Sequence, residues 1–203
     1  MNRREGKVSR IVPIELSCRH MGLPGLSRAI AASAFFLAVS GLVSAAPEKP
    51  AWPLTLREGL PVSLPGLAAA PTDPLADESE NEMGAYVEVS RFFQRIESAT
   101  STKQFRLAIQ DYGSGKDVVA ALRKAFAEAK QAGVETRELE VSGYKTFVVT
   151  DRSSGRPTTL VTVIVSPSRI VLGQGANVPG DEALALVKLV DLAKTASIKR
   201  PAA

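Results

Sequence analysis

The fold of this chain is decided by residues 144–172, which have the sequence YKTFVVTDRSSGRPTTLVTVIVSPSRIVL. Three runs rich in β-branched and aromatic residues are separated there by polar stretches that contain Gly, Ser and Pro, which are typical of turns. Connections this short join antiparallel neighbours. Residues 160–165 are apolar on both faces except at Thr162, which predicts a strand in the interior of a sheet.

The segments on either side extend this sheet. Upstream, residues 86–93 and 105–110 have the composition or the alternation of strands, and residues 136–141 predict a polar edge strand. The pair Ser142-Gly143 is suited to a tight turn. Downstream, residues 169–172 predict a further strand, and we expect residues 173–180 to form a loop because Gly173, Gly175 and Gly180 interrupt the pattern.

Two segments have helical patterns. Val118, Leu122, Phe126 and Ala129 follow one another at helical spacing. Ser114 is a candidate N-cap for this helix, and Gly133 a candidate C-cap. A second helix is predicted to begin near Asp181. Its residues 183–193 are apolar on nearly every side of the helix. This apolar surface is wider than the stripe that a helix needs in order to cover one face of a sheet.

This order of strand, strand, helix, four strands and helix predicts an α+β fold. We expect an antiparallel sheet of about five or six strands with two helices packed on one face. The predicted domain covers residues 83–198, followed by a disordered tail over 199–203. Residues 46–82 predict a tether, Pro-rich and then acidic, whose apolar part packs on the domain.

Residues 1–45 predict an N-terminal leader with a secretory signal peptide. Residues 29–43 form an apolar run that is too short to span a membrane but has the length of the apolar core of a signal peptide. The small residues that signal peptidase requires follow this run. We expect cleavage after Ala45, a periplasmic or otherwise exported product, and no membrane span thereafter. The stretch before the apolar run is long for a signal peptide, and a start at Met21 would give a signal peptide of ordinary length. The sequence therefore leaves both Met1 and Met21 open as the first residue of the translated protein.

The leader also changes the charge and the chemistry of the chain. Six of the 25 basic residues and two of the 21 acidic residues precede Ala46, which leaves 19 of each and no reason to expect nucleic acid. Cys18 and His20, the single cysteine and histidine, lie in the leader. The remaining chain therefore lacks thiol nucleophiles, histidine bases and Cys/His metal ligands.

Motifs associated with catalysis are incomplete. Residues 113–116 (GSGK) lack the first glycine and the Ser or Thr of a phosphate loop. Residues 142–145 (SGYK) have the Ser-x-x-Lys spacing of penicillin-recognising enzymes but span a predicted turn. Asp111, Asp151 and Asp181 are the candidate carboxylates of a hydrolase. We predict no catalytic residue, no cofactor and no metal site.

These observations favour a non-catalytic exported binding module. Its partner is a protein, a second copy of the chain or an apolar small molecule, and the candidate contact residues are Leu186, Leu189, Leu192 and Trp52. The alternative is a carboxylate-dependent periplasmic hydrolase. The wide apolar helix can instead be covered by the apolar part of the predicted tether.

The signal-peptide interpretation makes a direct prediction. N-terminal sequencing of the exported protein should begin at Ala46, or within one or two residues of it, because signal peptidase requires the small residues found there. A full-length, membrane-held product that retains Cys18 would contradict it.

Overall fold

The computed structural model describes residues 51–71, 75–113 and 117–200; the side chains of residues 51–53 and 75 are also outside the description. Eight strands are present in this part of the chain. They are β1 (Ala68–Ala69), β2 (Leu75–Asn81), β3 (Gly84–Ser98), β4 (Ser101–Asp111), β5 (Glu135–Val141), β6 (Tyr144–Asp151), β7 (Thr158–Ser166) and β8 (Arg169–Ala176). The helices are α1 (Ala51–Leu56), α2 (Val118–Gln131), α3 (Gly180–Val187) and α4 (Leu192–Ser197), with a 3-10 turn at Arg57–Gly59. The signal-peptide prediction lies outside the described residues.

All strands belong to one antiparallel sheet, as the sequence predicts. Its order is β1-β3-β4-β8-β7-β6-β5, and β2 pairs with β3 beside β1. The predicted turn between β5 and β6 is confirmed, because Ser142 and Gly143 have φ values of 52° and 81°. Two consecutive left-handed residues are characteristic of a type I′ hairpin.

The strand count exceeds the predicted five or six because β1 and β2 come from the expected tether. Residues 75–81 pair with β3 in an unbroken ladder from Leu75↔Ser90 to Asn81↔Gly84. Their acidic side chains are compatible with a sheet edge, where charge discourages further pairing. The apolar part of the segment also packs inward, and Leu56, Leu60 and Leu64 belong to the main core.

The predicted loop at residues 173–180 is wrong in its first half, because β8 continues to Ala176. A Cβ atom at position 173 would lie 2.3 Å from Val187 Cγ2 and 2.9 Å from Phe105 Cζ. At position 175 it would lie 2.7 Å from Val178 Cβ. These glycines therefore permit close packing on a strand rather than marking a turn.

The helices lie on opposite faces of the sheet, not on one face as predicted. Val161, Val163 and Val165 of β7 belong to the main core together with residues of α1, α3 and α4. The alternate residues Leu160 and Ile164 pack in a second cluster with Val118 and Leu122 of α2. A strand that is apolar on both faces needs cover on both sides, which explains this arrangement.

The predicted last helix is divided into α3 and α4. The break precedes Asp191, whose side chain accepts a hydrogen bond from the Lys194 amide (2.8 Å) and caps α4. Because the chain changes direction here, Leu186 at the end of α3 and Leu192 at the start of α4 both reach the main core. A single straight helix would have left one of its flanks uncovered.

A buried arginine holds the C-terminal segment against the sheet. Arg169 Nε donates to Asp111 Oδ2 at 2.7 Å, and its Nη1 donates to the carbonyl oxygens of Thr195 and Ile198, each at 2.7 Å. Arg200, placed in the expected disordered tail, donates to Asp111 Oδ1 at 3.3 Å. Residues 201–203 lie outside the described residues.

Paired leucines in α1 test whether this segment belongs to the core. Leu56 is 0% exposed and Leu54 is 37% exposed. We expect Leu56→Ala to lower the free energy of unfolding by about 2–5 kcal/mol, because it leaves a cavity in the core. Leu54→Ala should cost less than about 1 kcal/mol. Urea unfolding measures both, and equal losses would contradict the distinction.

Candidate functional site

Helix α2 is positioned by its two ends. The Asp117 side chain accepts a hydrogen bond from the Val119 amide (2.9 Å) and caps the helix; the predicted cap, Ser114, lies outside the described residues. Gly133, with a φ of 78°, ends it as predicted, and its amide donates to the Lys130 carbonyl. Between these ends, α2 packs over β5 and β6, where the Phe126 and Phe147 rings lie 4.8 Å apart.

A shallow trough lies between α2 and the sheet. It has a cavity volume of about 80 Å³ and is bordered mainly by apolar atoms. Leu122, Phe126 and Leu160 are only partly buried, so the trough is open to solvent along one side. The lining residues are Asn81, Met83, Gln110, Leu122, Ala125, Phe126, Phe147, Val149, Leu160, Thr162, Ile170, Leu172 and Gln174.

The trough is long relative to its volume. Ile170 and Gln174 both line it and lie four residues apart on β8, which corresponds to about 13 Å along the strand. The site is therefore a narrow depression beside a helix rather than a deep pocket.

One polar group in the trough has no protein partner. Thr162 lines the trough and is 4% exposed, and none of the hydrogen bonds among the described residues involves its hydroxyl. The Thr162 hydroxyl is not among the fully buried unpaired side-chain atoms of the described residues, so water in the trough can reach it. The trough therefore offers a hydroxyl that is free to donate and accept, beside the Gln110 and Gln174 side chains that also line it.

A buried polar network borders the trough on its β3 and β4 side. Glu88 accepts hydrogen bonds from Arg106 Nη2 and from Gln110 Nε2, the latter at 2.7 Å. The Tyr112 hydroxyl donates to Gln110 Oε1 at 2.9 Å and accepts from Asn81 Nδ2 at 2.9 Å. Burial raises the pKa of the Tyr112 phenol above its usual value, so it stays protonated and can donate.

Gln174 connects this network to the trough. Its Oε1 accepts from Arg106 Nη1 at 2.7 Å. Since arginine can only donate, this contact fixes the amide orientation and leaves the Gln174 Nε2 group for another acceptor. The Arg106 Nε atom is buried and, among the described residues, has no hydrogen-bond partner.

Five neighbouring strands place one residue each in a row across the face that carries α2. The pairings Val149↔Leu160, Leu160↔Gln174, Gln174↔Arg106 and Arg106↔Phe92 define this cross-strand row. Its first three residues line the trough. At the other end Phe92 is 41% exposed, with the Arg106 guanidinium 5.7 Å from its ring centroid.

The four predicted contact residues do not form an open surface together. Leu186 and Leu192 are 6% and 3% exposed and belong to the main core with Leu56 and Leu60. Leu189 is 48% exposed, and the Trp52 side chain lies outside the described residues. The apolar segment after Trp52 and the sheet thus cover the wide apolar region between them.

The three candidate carboxylates are also dispersed. Asp111 is buried against Arg169, Asp151 accepts from the Ser153 amide, and Asp181 is an exposed partner of Arg137. Within the described ranges, no group of three or more His, Cys, Asp or Glu side chains is close enough to hold a metal ion. In the same part of the chain, none of the helices has the length and apolar character required to cross a membrane.

The sequence contained signals for the trough, but they did not identify it. Leu122 and Phe126 are on the predicted inner face of α2, and Thr162 is the single polar residue of an apolar strand. Periodicity shows which side chains face a neighbour, not whether that neighbour fills the space. Comparisons with family models, curated proteins and solved structures found no match for this chain.

Two threonines of β7 test whether the Thr162 hydroxyl lacks a partner. Thr159 is equally buried, but its hydroxyl donates to the Val178 carbonyl at 2.8 Å. We expect Thr159→Val to lower the free energy of unfolding by about 1–3 kcal/mol, since it leaves a buried acceptor unpaired. Thr162→Val should leave stability unchanged or raise it. Thermal unfolding distinguishes them, and a similar loss in both variants would show that Thr162 is satisfied.

Proposed function

We propose that this chain is an exported, non-catalytic binding module whose site is the trough beside α2. The observation that carries this proposal is a partly open apolar depression with the unpaired Thr162 hydroxyl in its floor. Such a site gains free energy by covering apolar surface, and a ligand polar group can satisfy the hydroxyl. Export rests on the apolar run at residues 29–43.

The size of the trough favours a protein partner over a small molecule. Pockets that enclose small ligands have volumes of about 300–1,000 Å³, and this one has about 80 Å³. A shallow depression is suited to single apolar side chains that project from a larger surface, as anchor residues do in protein interfaces. The Gln174 amide at its edge can donate to a carbonyl oxygen of such a partner.

The groups around the trough are suited to binding rather than hydrolysis. Glu88 is the carboxylate of the adjoining network, and it already accepts hydrogen bonds from Arg106 and Gln110. Hydrolysis with carboxylates requires a second acid to divide the roles of acid and base. Gln110, Thr162 and Gln174, the polar side chains of the central trough, do not titrate.

A small probe tests whether the trough accepts an apolar group with an adjacent carbonyl. Benzamide should shift the NMR signals of the Leu122, Val149 and Leu160 methyl groups, with a dissociation constant of about 1–10 mM. Ala125→Leu places a larger side chain in the trough and should weaken binding at least tenfold.

Ala127 provides the matched control, because it lies on the same helix and is exposed. Ala127→Leu should bind benzamide like the unmodified chain, and both variants should have the circular dichroism of the folded protein. If benzamide shifts no trough methyl group, or if Ala125→Leu binds it equally well, the trough is not the binding site.

A further inference from the structure

The polar side chains that line the trough differ in which hydrogen-bonding atoms they have left. Asn81 donates through Nδ2 to a tyrosine hydroxyl and accepts through Oδ1 from a backbone amide, so both of its amide atoms are engaged. Both amide atoms of Gln110 are engaged as well, Nε2 with Glu88 and Oε1 with Tyr112. The Thr162 hydroxyl can donate or accept. None of these three side chains imposes a direction on the hydrogen bond of a ligand.

Gln174 differs from them because only one of its amide atoms has a partner. Its Oε1 accepts from Arg106 Nη1 at 2.7 Å, and none of the hydrogen bonds among the described residues involves its Nε2 atom. Gln174 lines the trough, and Nε2 is not among the fully buried unpaired atoms of the described residues, so a ligand can reach it. The side chain therefore presents its donor to the trough while its acceptor is engaged by Arg106.

Arg106 fixes this orientation of the amide. Arginine has no acceptor, so turning the amide over would place the Nε2 hydrogens against those of Arg106 Nη1. Arg106 is itself held by Glu88, which accepts from Nη2, and by the Phe92 ring, whose centroid lies 5.7 Å from the guanidinium carbon. The Arg106 side chain is 11% exposed. A largely buried chain of contacts from Glu88 through Arg106 to Gln174 thus sets the direction of the donor.

Resting on the proposed function, we propose that Gln174 is the specificity-determining residue of the trough and that Arg106 is its positioning residue. The group that they select is an apolar side chain or ring next to a hydrogen-bond acceptor, such as a carbonyl oxygen. A group that can only donate leaves the Nε2 hydrogens of Gln174 unpaired when it covers them, which weakens its binding. The apolar lining holds the ligand, and the Gln174 amide determines which polar atom the ligand carries.

Two small probes of similar shape test this selection. Acetophenone carries a carbonyl acceptor on a benzene ring, whereas aniline carries an amino group that donates and accepts only weakly. NMR titration of the Leu122, Val149 and Leu160 methyl groups gives a dissociation constant for each probe. The ratio of the aniline constant to the acetophenone constant is the acceptor preference. Comparing this ratio between variants removes the general difference in hydrophobicity between the probes.

Substitutions of Gln174 test the donor. Gln174→Met keeps the length of the side chain and should lower the acceptor preference at least about threefold, because the hydrogen bond to acetophenone is lost. Gln174→Glu replaces the donor by a second oxygen, which accepts from aniline. At about pH 8, where this carboxyl is ionised, it should lower the preference at least about tenfold. Gln94 is an exposed glutamine outside the trough lining, and Gln94→Met should leave the preference unchanged.

A double variant tests Arg106. Glu88→Gln together with Arg106→Met removes both charges, so no unpaired carboxylate is left buried. Without the arginine the Gln174 amide can turn over and present Oε1. Aniline should then bind at least about threefold more tightly, while the acetophenone constant should change less than about twofold. Arg95→Met, a change at an exposed arginine, is the control and should alter neither constant. Circular dichroism should show the folded protein in every variant.

The outcomes separate the two proposals. If both probes shift the trough methyl groups but Gln174→Met and Gln174→Glu keep the acceptor preference of the unmodified chain, the specificity proposal is refuted and the proposed function stands. If these variants lower the preference but the double variant weakens both probes by the same factor, Arg106 supports the trough without positioning the amide, and that part is refuted. If benzamide, acetophenone and aniline all fail to shift the methyl groups, both proposals fail.

Discussion

The close approach of α3 to the middle strand of the sheet constrains the rest of the structure. Strand β8 has three strands on each side along the main path of the sheet, and Gly173 leaves no Cβ between it and Val187. Because α3 lies against bare backbone there, it fills the main core together with Leu56 and Phe105. The apolar side chains on this face are consequently buried among themselves, and the residues predicted for partner contact, Leu186 and Leu192, are used for folding.

The opposite face differs because one helix covers it incompletely. Its polar network joins Glu88, Arg106, Gln110 and Tyr112 through side-chain hydrogen bonds and, among the described residues, leaves the buried Arg106 Nε atom without a partner. Thr162 lies outside that network and keeps an unused hydroxyl beside apolar side chains. This face therefore keeps an open depression, whereas the apolar side chains of the other face are buried in the main core.

Sequence reasoning could not show that two of the candidate contact residues, Leu186 and Leu192, lie in the main core. The wide apolar pattern of residues 183–193 indicates that two sides must be covered, but it does not say by what. The cover comes from Leu56 and Leu60, more than a hundred positions earlier in the chain, and from a break before Asp191 that turns Leu192 inward. Conversely, Leu122 and Phe126 have the pattern of core residues and yet border an open trough, because none of the described helices lies beside α2.

The sequence by itself determined the succession of antiparallel strands from β3 onward, helix α2 with its end at Gly133, a tight turn at Ser142-Gly143 and the interior position of β7. Each depends on contacts between residues close in the chain or on the burial of one strand, which alternation and turn chemistry specify. Only the tertiary structure decided that residues 75–81 form an edge strand, that Gly173 lies within a strand, and that the helices occupy opposite faces. These features depend on which backbones pair and on how distant segments fill the space between them. The spacing of apolar and polar residues along the sequence contains no information about either.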